Sequence, residues 1–265
     1  IHTGLFSYRF KPCSQLPGHA GRAMQVSVSN YHFTMKTNLS LEDIRNAFKR
    51  PLPGLEAQIK LAPEIRIKEL RSPQPADAKP AGVLILLYPH QGQLYFPLMR
   101  RTSNGHDRHS DQVSLPGGSQ ESDESIQATA LREAQEEIGA AADQINIVGT
   151  LSTIYIPPSN FLVTPSVGYV DHRPDFQCDT NEVAELLEVP LATLFDPASI
   201  RREVWELRGM KVDVPFYQIG AHKVWGVCRA IERARATLWY LPPYTPDPRR
   251  QRPGVCGPDL RGLVY

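Results

Sequence analysis

The chain reads as an α+β protein, a sandwich in which helices cover a mixed sheet. Three observations carry that expectation. Strand-like runs outnumber helical ones, long helical runs lie between and after them, and proline and glycine clusters punctuate the boundaries. With 265 residues the chain is long enough for one substantial core with decoration. Apolar residues make up 41% and charged residues 22%, as in an ordinary globular protein. A formal net charge of +1 offers no broad electrostatic case for nucleic acid or an anionic membrane.

The elements follow in order. The segment NLSLEDIRNAFKR predicts a helix, with Ser40 as cap and Asp43 closing a box-like start. Leu41, Ile44, Ala47 and Phe48 fall on one face, and Pro51 stops it. A proline-rich linker, Pro73 to Pro80, leads to AGVLILLYP, then HQG as a turn, then QLYFPLMRR, which together predict a hairpin. SNGHDRHSD reads as polar loop. From Ser125 to Ile138 the pattern is helical, with Ile126, Thr129, Ala130, Ala134 and Ile138 available for packing and Gly139 as C-cap. INIVGTLSTIYI and FLVTPSVGYV are strand-like, divided by the loop PPSN. EVAELLEVPLATLF reads as mostly helical, interrupted at Pro190. KVDVPFYQI reads as a short strand before a last helix from about Lys223 to Trp239. The boundaries drawn from this pass are an N-terminal extension over 1–38, one domain over 39–240 and an irregular proline- and arginine-rich tail over 241–265.

No apolar run approaches the length of a membrane span, and the N-terminus has no clean signal-peptide core. The four cysteines are scattered without a CxxC pair, which points to a reduced, intracellular and cytoplasmic protein.

The densest chemistry lies in GGSQESDESIQATALREAQEEIG, residues 117–139, where six carboxylates and one arginine share 23 positions. Glu133, Glu136 and Glu137 stand at i, i+3 and i+4, on one helical stripe. Exposed like charges at that spacing cost about 0.2–0.5 kcal/mol per pair. A hard, oxygen-seeking cation such as Mg²⁺ or Mn²⁺ reverses the sign of that cost. A stripe of this kind is by itself more often a solvated face. The preceding LPGG changes the balance, because Gly117 and Gly118 open a tight loop ahead of a helix N-terminus, an arrangement that suits phosphate. Arg132 is placed to tether a carboxylate such as Glu124.

The string from Gly118 to Ala140 resembles the full signature of the Nudix hydrolase family: Gly118, Glu124, Arg132, Glu133, Ala134, Glu136, Glu137, Gly139 and Ala140 occupy its fixed positions. That resemblance implies a Nudix-like α/β/α sandwich with mixed sheet and metal-dependent hydrolysis of nucleoside diphosphate-X compounds. It also implies Mg²⁺ or Mn²⁺ held by Glu133, Glu136 and Glu137. Glu124 would be an auxiliary acid, Arg132 would orient the glutamates, and Glu182 is a second-tier acid for the metal shell, with Glu185 as its rival.

Upstream, RRTSNGHDRHSDQVSLPGG resembles the motif ahead of this signature in coenzyme A diphosphatases. Arg100 or Arg101, His109, Gln112 and Ser114 fit it, with Gly117 and Gly118 completing the substrate-binding set. Leu115 stands where phenylalanine is usual and Asp111 where glycine is usual. The resemblance implies cleavage of coenzyme A or acyl-coenzyme A to 3′,5′-ADP and (acyl-)4′-phosphopantetheine. The alternatives are a Nudix diphosphatase for ADP-ribose, NADH or another nucleoside diphosphate derivative, and a non-catalytic Nudix-like binding module. The expected partner is a small-molecule nucleotide, with no nucleic acid and no membrane. Oligomeric state is left open.

Overall fold

The computed structural model describes residues 6–12, 24–26, 40–52, 74–102, 112–207, 209–225 and 228–239. His109, Asp111 and the tail over 241–265 lie outside them. Strands β1 (Phe6–Pro12) and β2 (Met24–Val26) precede helix α1 (Leu41–Phe48). The hairpin follows as β3 (Lys79–His90) and β4 (Gln93–Arg101), then the short strands β5 (Val113–Ser114) and β6 (Gly117–Ser119). Helix α2 (Ile126–Ile138) leads to β7 (Asn146–Thr150), β8 (Ile154–Ile156), β9 (Phe161–Tyr169) and β10 (Val183–Pro190). The chain continues with β11 (Ile200–Leu207), β12 (Met210–Ile219), β13 (His222–Val224) and helix α3 (Cys228–Trp239).

The main sheet runs β2-β1-β10-β4-β3-β9-β7, with β5, β6 and β8 attached at β4, β3 and β9. Only the β3–β9 pairing is parallel among the described strands, so the sheet is mixed, as expected. A second sheet, β11-β12-β13, is antiparallel throughout. Strand alternation divides the hydrophobic core between the two faces of the main sheet. On one face Leu84, Leu86, Tyr88, Tyr95 and Met99 pack against Ala130, Ala134 and Ile138 of α2. On the other, Ile85, Leu87, Leu94, Phe96 and Leu98 meet Ile44 of α1, Tyr217 and Ile219 of β12 and Ile231 of α3.

Local chemistry matches several predicted elements. Ser40 and Asp43 form a reciprocal capping box on α1. Ser125 caps α2 by accepting from the Ala128 N–H, and Gly139 ends it in the left-handed conformation at φ 70°. Gln91 and Gly92, with φ of 49° and 76°, make the tight hairpin turn at HQG. At Gly82 helix α2 lies so near β3 that a Cβ would stand 2.4 Å from the Ile126 carbonyl oxygen.

Three expectations are corrected. The segment EVAELLEVP is strand β10, not helix, followed by a 3₁₀ turn over Leu191–Phe195. It lies inside the sheet between β1 and β4, and Leu186, Leu187, Glu188 and Val189 are all buried. The buried Glu188 disguised the strand, because a carboxylate in an apolar run suggests a surface helix. Its charge is held by Arg173 through Nε at 2.6 Å and Nη2 at 2.8 Å, and the Tyr88 hydroxyl donates to it at 3.1 Å. The same burial, joined by the neighbouring carboxylate, pushes the Tyr88 phenol well above its ordinary value. The last helix begins at Cys228 rather than near Lys223, since His222–Val224 pairs with β12. INIVGTLSTIYI is two strands, β7 and β8, separated at 151–153 and both paired with β9. The polar strand β11 gave no sequence signal, and its edge position needs only one covered face. Among the described residues no helix is long and apolar enough to cross a membrane.

Glu188 makes the first prediction. Arg173→Ala strands a carboxylate that is 2% exposed and should lower unfolding free energy by about 3–5 kcal/mol in urea titrations. Adding Glu188→Gln should recover part of that loss, because the stranded charge is then gone.

Candidate functional site

The site is built where the β6 loop meets α2. Gly117 adopts φ 151°, and a Cβ there would meet the Gly82 carbonyl oxygen at 2.4 Å, so the loop can lie this close to β3 only with glycine. That position lets the Gly117 N–H donate to Glu137 Oε2 at 2.8 Å. A Cβ on Gly118 would stand 2.4 Å from Glu133 Oε1. The paired glycines therefore seat two of the helix carboxylates directly against the loop backbone.

Arg132 gathers the acids. Its Nε and Nη2 donate to Glu124 at 3.3 and 3.0 Å, and its Nη1 donates to Glu133 at 2.9 Å and Glu136 at 3.0 Å. Nη2 also donates to the Ser119 carbonyl at 3.2 Å, which ties the helix to the β6 loop. The expected tether of Glu124 by Arg132 is thus present as a two-point contact. The Arg132 hydrogen bond, followed by the Glu121 N–H and assisted by Thr129, lowers the Glu124 carboxyl to about 2. Arg132 itself is shifted upward by the same contact.

The stripe is graded by depth. Glu136 is exposed, Glu133 half-buried and Glu137 only 2% exposed. Burial raises the Glu137 carboxyl to about 8, against the opposing pull of the Gly117 N–H and Arg101. Burial also raises Glu133, and the charge of Glu182 pushes both acids the same way. The second-tier acid Glu182 is linked to Glu137 through a shared partner, Arg101. Arg101 stands between them, with Nη1 donating to Glu137 at 3.1 Å and Nη2 at 3.7 Å from Glu182.

Glu185, the rival acid, is elsewhere: it accepts from Arg100 Nε at 3.0 Å. Arg100 and Arg101 thus separate onto opposite faces of β4, and only Arg101 joins the acidic centre. Gln112 lines a cavity beside Arg100, together with Val113 of β5 and residues of β13. Sequence reasoning missed His222, whose Nε2 lies 3.4 Å from Glu185. Its signal was hidden because AHKVW reads as the start of a helix.

The donor chemistry fits a hard divalent cation: the carboxylates of buried Glu137, half-buried Glu133 and exposed Glu182 supply oxygen donors around Arg101. Among the described residues no three His, Cys, Asp or Glu side chains converge closely enough to hold an ion as they stand. Arg132 draws Glu133 and Glu136 toward its guanidinium, while Gly117 and Arg101 hold Glu137.

The Glu137 shift has a definite sign. From its ordinary value of 4.5 up to about 8, the unfolded chain ionises this group while the metal-free folded chain keeps the proton. Its stabilising contribution is fully present below about 4.5 and is lost as pH rises through about 8. Metal-free protein should therefore lose more melting temperature between pH 5.5 and 8.5 than Glu137→Gln does. At pH 8.5, Mg²⁺ or Mn²⁺ should raise the melting temperature by about 3 °C or more, and the gain should shrink in the variant.

Comparison with known proteins agrees with this geometry. The NUDIX domain family model matches residues 78–208, from the start of β3 to the end of β11. The chain is 38% identical over 144 residues to the Nudix hydrolase NudL of Pectobacterium atrosepticum, covering 51% of this chain and 70% of that protein. It is 32% identical over 176 residues to NudL of Yersinia enterocolitica, covering 63% of this chain and 87% of that protein. It is also 39% identical over 117 residues to the peroxisomal coenzyme A diphosphatase NUDT7 of Mus musculus, covering 44% of this chain and 49% of that protein. With its acidic helix, glycine loop and mixed sheet, the chain belongs to the Nudix hydrolase family and is an enzyme of Nudix-type hydrolysis, acting on a nucleoside diphosphate derivative.

Proposed function

We propose that the substrate is coenzyme A or an acyl-coenzyme A, cleaved at its diphosphate to 3′,5′-ADP and (acyl-)4′-phosphopantetheine. The observation that carries this reading is the segment from Arg100 to Gly118, which resembles the coenzyme A diphosphatase motif at Arg100 or Arg101, His109, Gln112 and Ser114. The similarity to the mouse coenzyme A diphosphatase supports it over part of each chain.

Glu133, Glu137 and Glu182, with Glu136 at the exposed end of the stripe, would hold Mg²⁺ or Mn²⁺. Such an ion, when bound, activates water and offsets charge on the diphosphate oxygens. The chain's own residues supply the rest. Arg132 keeps Glu124, Glu133 and Glu136 in register with the loop. The Gly117 N–H fixes the Glu137 carboxylate, so its oxygens are oriented before substrate arrives. Arg101 brings positive charge to the same centre, where the diphosphate gathers negative charge. Gly117 and Gly118 let the loop backbone pack directly against Glu137 and Glu133, which holds these acids beside the place a diphosphate would take.

Two measurements test the proposal. Steady-state kinetics should give coenzyme A a higher kcat/KM than dephospho-coenzyme A or ADP-ribose, by about 10-fold or more if one charge-assisted contact recognises the 3′-phosphate. A kcat/KM for ADP-ribose equal to or above that for coenzyme A would overturn the substrate and leave the family chemistry intact. Glu137→Gln should cut kcat by about 100-fold or more with an unchanged far-ultraviolet spectrum. Full activity in that variant would remove Glu137 from the catalytic centre.

A further inference from the structure

Residues 100 and 101 are neighbours in sequence but face opposite layers. Arg101 continues the row of Tyr95 and Met99 that packs against α2, and its guanidinium reaches Glu137. Arg100 continues the row of Phe96 and Leu98, which packs against the second sheet and α3. At the end of that row lies a cavity of about 230 Å³ walled by Arg100, Gln112, Val113, His222 and Trp225.

The polar groups of this cavity are organised. Glu185, directly opposite Arg100 in the β10–β4 register, accepts from Arg100 Nε at 3.0 Å and lies 3.4 Å from His222 Nε2. One carboxylate therefore ties together a guanidinium and an imidazole from different sheets, and all three are largely covered, at 30%, 20% and 16% exposure for Arg100, His222 and Glu185. Lys223 also borders the cavity, but its ammonium is turned to Glu203 at 2.5 Å and sits over the Phe216 ring. A guanidinium fork and an imidazole, held at the rim of a half-enclosed space beside an aromatic ring, are suited to a phosphate carried on a nucleotide. The volume leaves room for a phosphomonoester beside part of a sugar or base.

We infer that Arg100 and His222 form a phosphomonoester subsite, contributed jointly by β4 and β13, that selects substrates bearing a phosphate beyond the cleaved diphosphate. The inference rests on the diphosphatase reading of the acidic centre. It deepens that reading by dividing the two arginines: Arg101 serves the diphosphate, and Arg100 with His222 serves the additional phosphate. Both arginines sit at the C-terminal end of β4, Arg101 on the face covered by α2 and Arg100 on the face covered by the second sheet.

Binding of 3′,5′-ADP and of AMP, measured by calorimetry without turnover, tests it directly. The full chain should bind 3′,5′-ADP about 10-fold more tightly than AMP. His222→Ala should reduce that ratio at least about 3-fold, and His222→Lys, which keeps an N–H donor at this position, should restore it. A purely structural role would weaken both ligands alike and would not be rescued by lysine. If His222→Ala fails to fold, His222→Leu fills the same space without a polar hydrogen and should show the same loss. An unchanged ratio in a folded variant overturns the subsite. Parallel kinetics separate the two claims. Preference for coenzyme A over ADP-ribose with a ratio insensitive to His222 leaves the substrate reading and rejects the subsite. The reverse result keeps the subsite and rejects coenzyme A as substrate.

Discussion

Helix α2 rests on β3 with no room for a side chain at Gly82, and this close approach sets the position of the whole acidic stripe. The packing residues on the helix are small, Ala130 and Ala134, and both are fully buried. Because the helix sits so low, its other flank comes level with the β6 loop, where Gly117 and Gly118 touch Glu137 and Glu133. The acids of the helix are thus located by van der Waals contact between two backbones. A larger residue at Gly82 would lift the helix and move every carboxylate on it at once.

The density of acid on this helix is managed in layers. At the exposed end Arg132 satisfies Glu124, Glu133 and Glu136 with one guanidinium, which offsets like-charge repulsion and braces the helix to the loop. At the buried end Glu137 has only the Gly117 N–H and Arg101 for company, and its raised protonation range records that the compensation is incomplete. A divalent ion taking the place of that proton would supply the charge the covered carboxylate lacks. The same logic, carried to full compensation, appears at Glu188, where Arg173 makes a two-point contact. One buried carboxylate is held by both arms of an arginine, and the other by one arginine nitrogen and one backbone N–H.

Strand alternation does comparable work for the arginines. Since β4 has α2 on one side and the second sheet on the other, a shift of one residue moves a side chain from the acidic centre to the cavity beside β13. A register shift in β10 between Val183 and Glu185 accompanies this division, bringing Glu185 opposite Arg100 while Val183 stays opposite Arg101.

Much of the acidic centre was legible in the sequence because it is local: Glu124, Arg132, Glu133, Glu136 and Glu137 fall within 14 positions, and helical periodicity alone brings them together. The β3–β4 hairpin, the caps at Ser40, Ser125 and Gly139 and the mixed architecture were legible for the same reason, since turn chemistry and apolar periodicity act over a few residues. What only the tertiary structure decided depends on partners far along the chain. Glu188 made β10 look helical until Arg173 and Tyr88 were seen to bury it, and His222 had no visible role until β13 brought it beside Glu185. Whether Arg100 or Arg101 meets the acids could not be read from two identical neighbours. It follows from which face of β4 is covered by α2, and that is a property of the sheet.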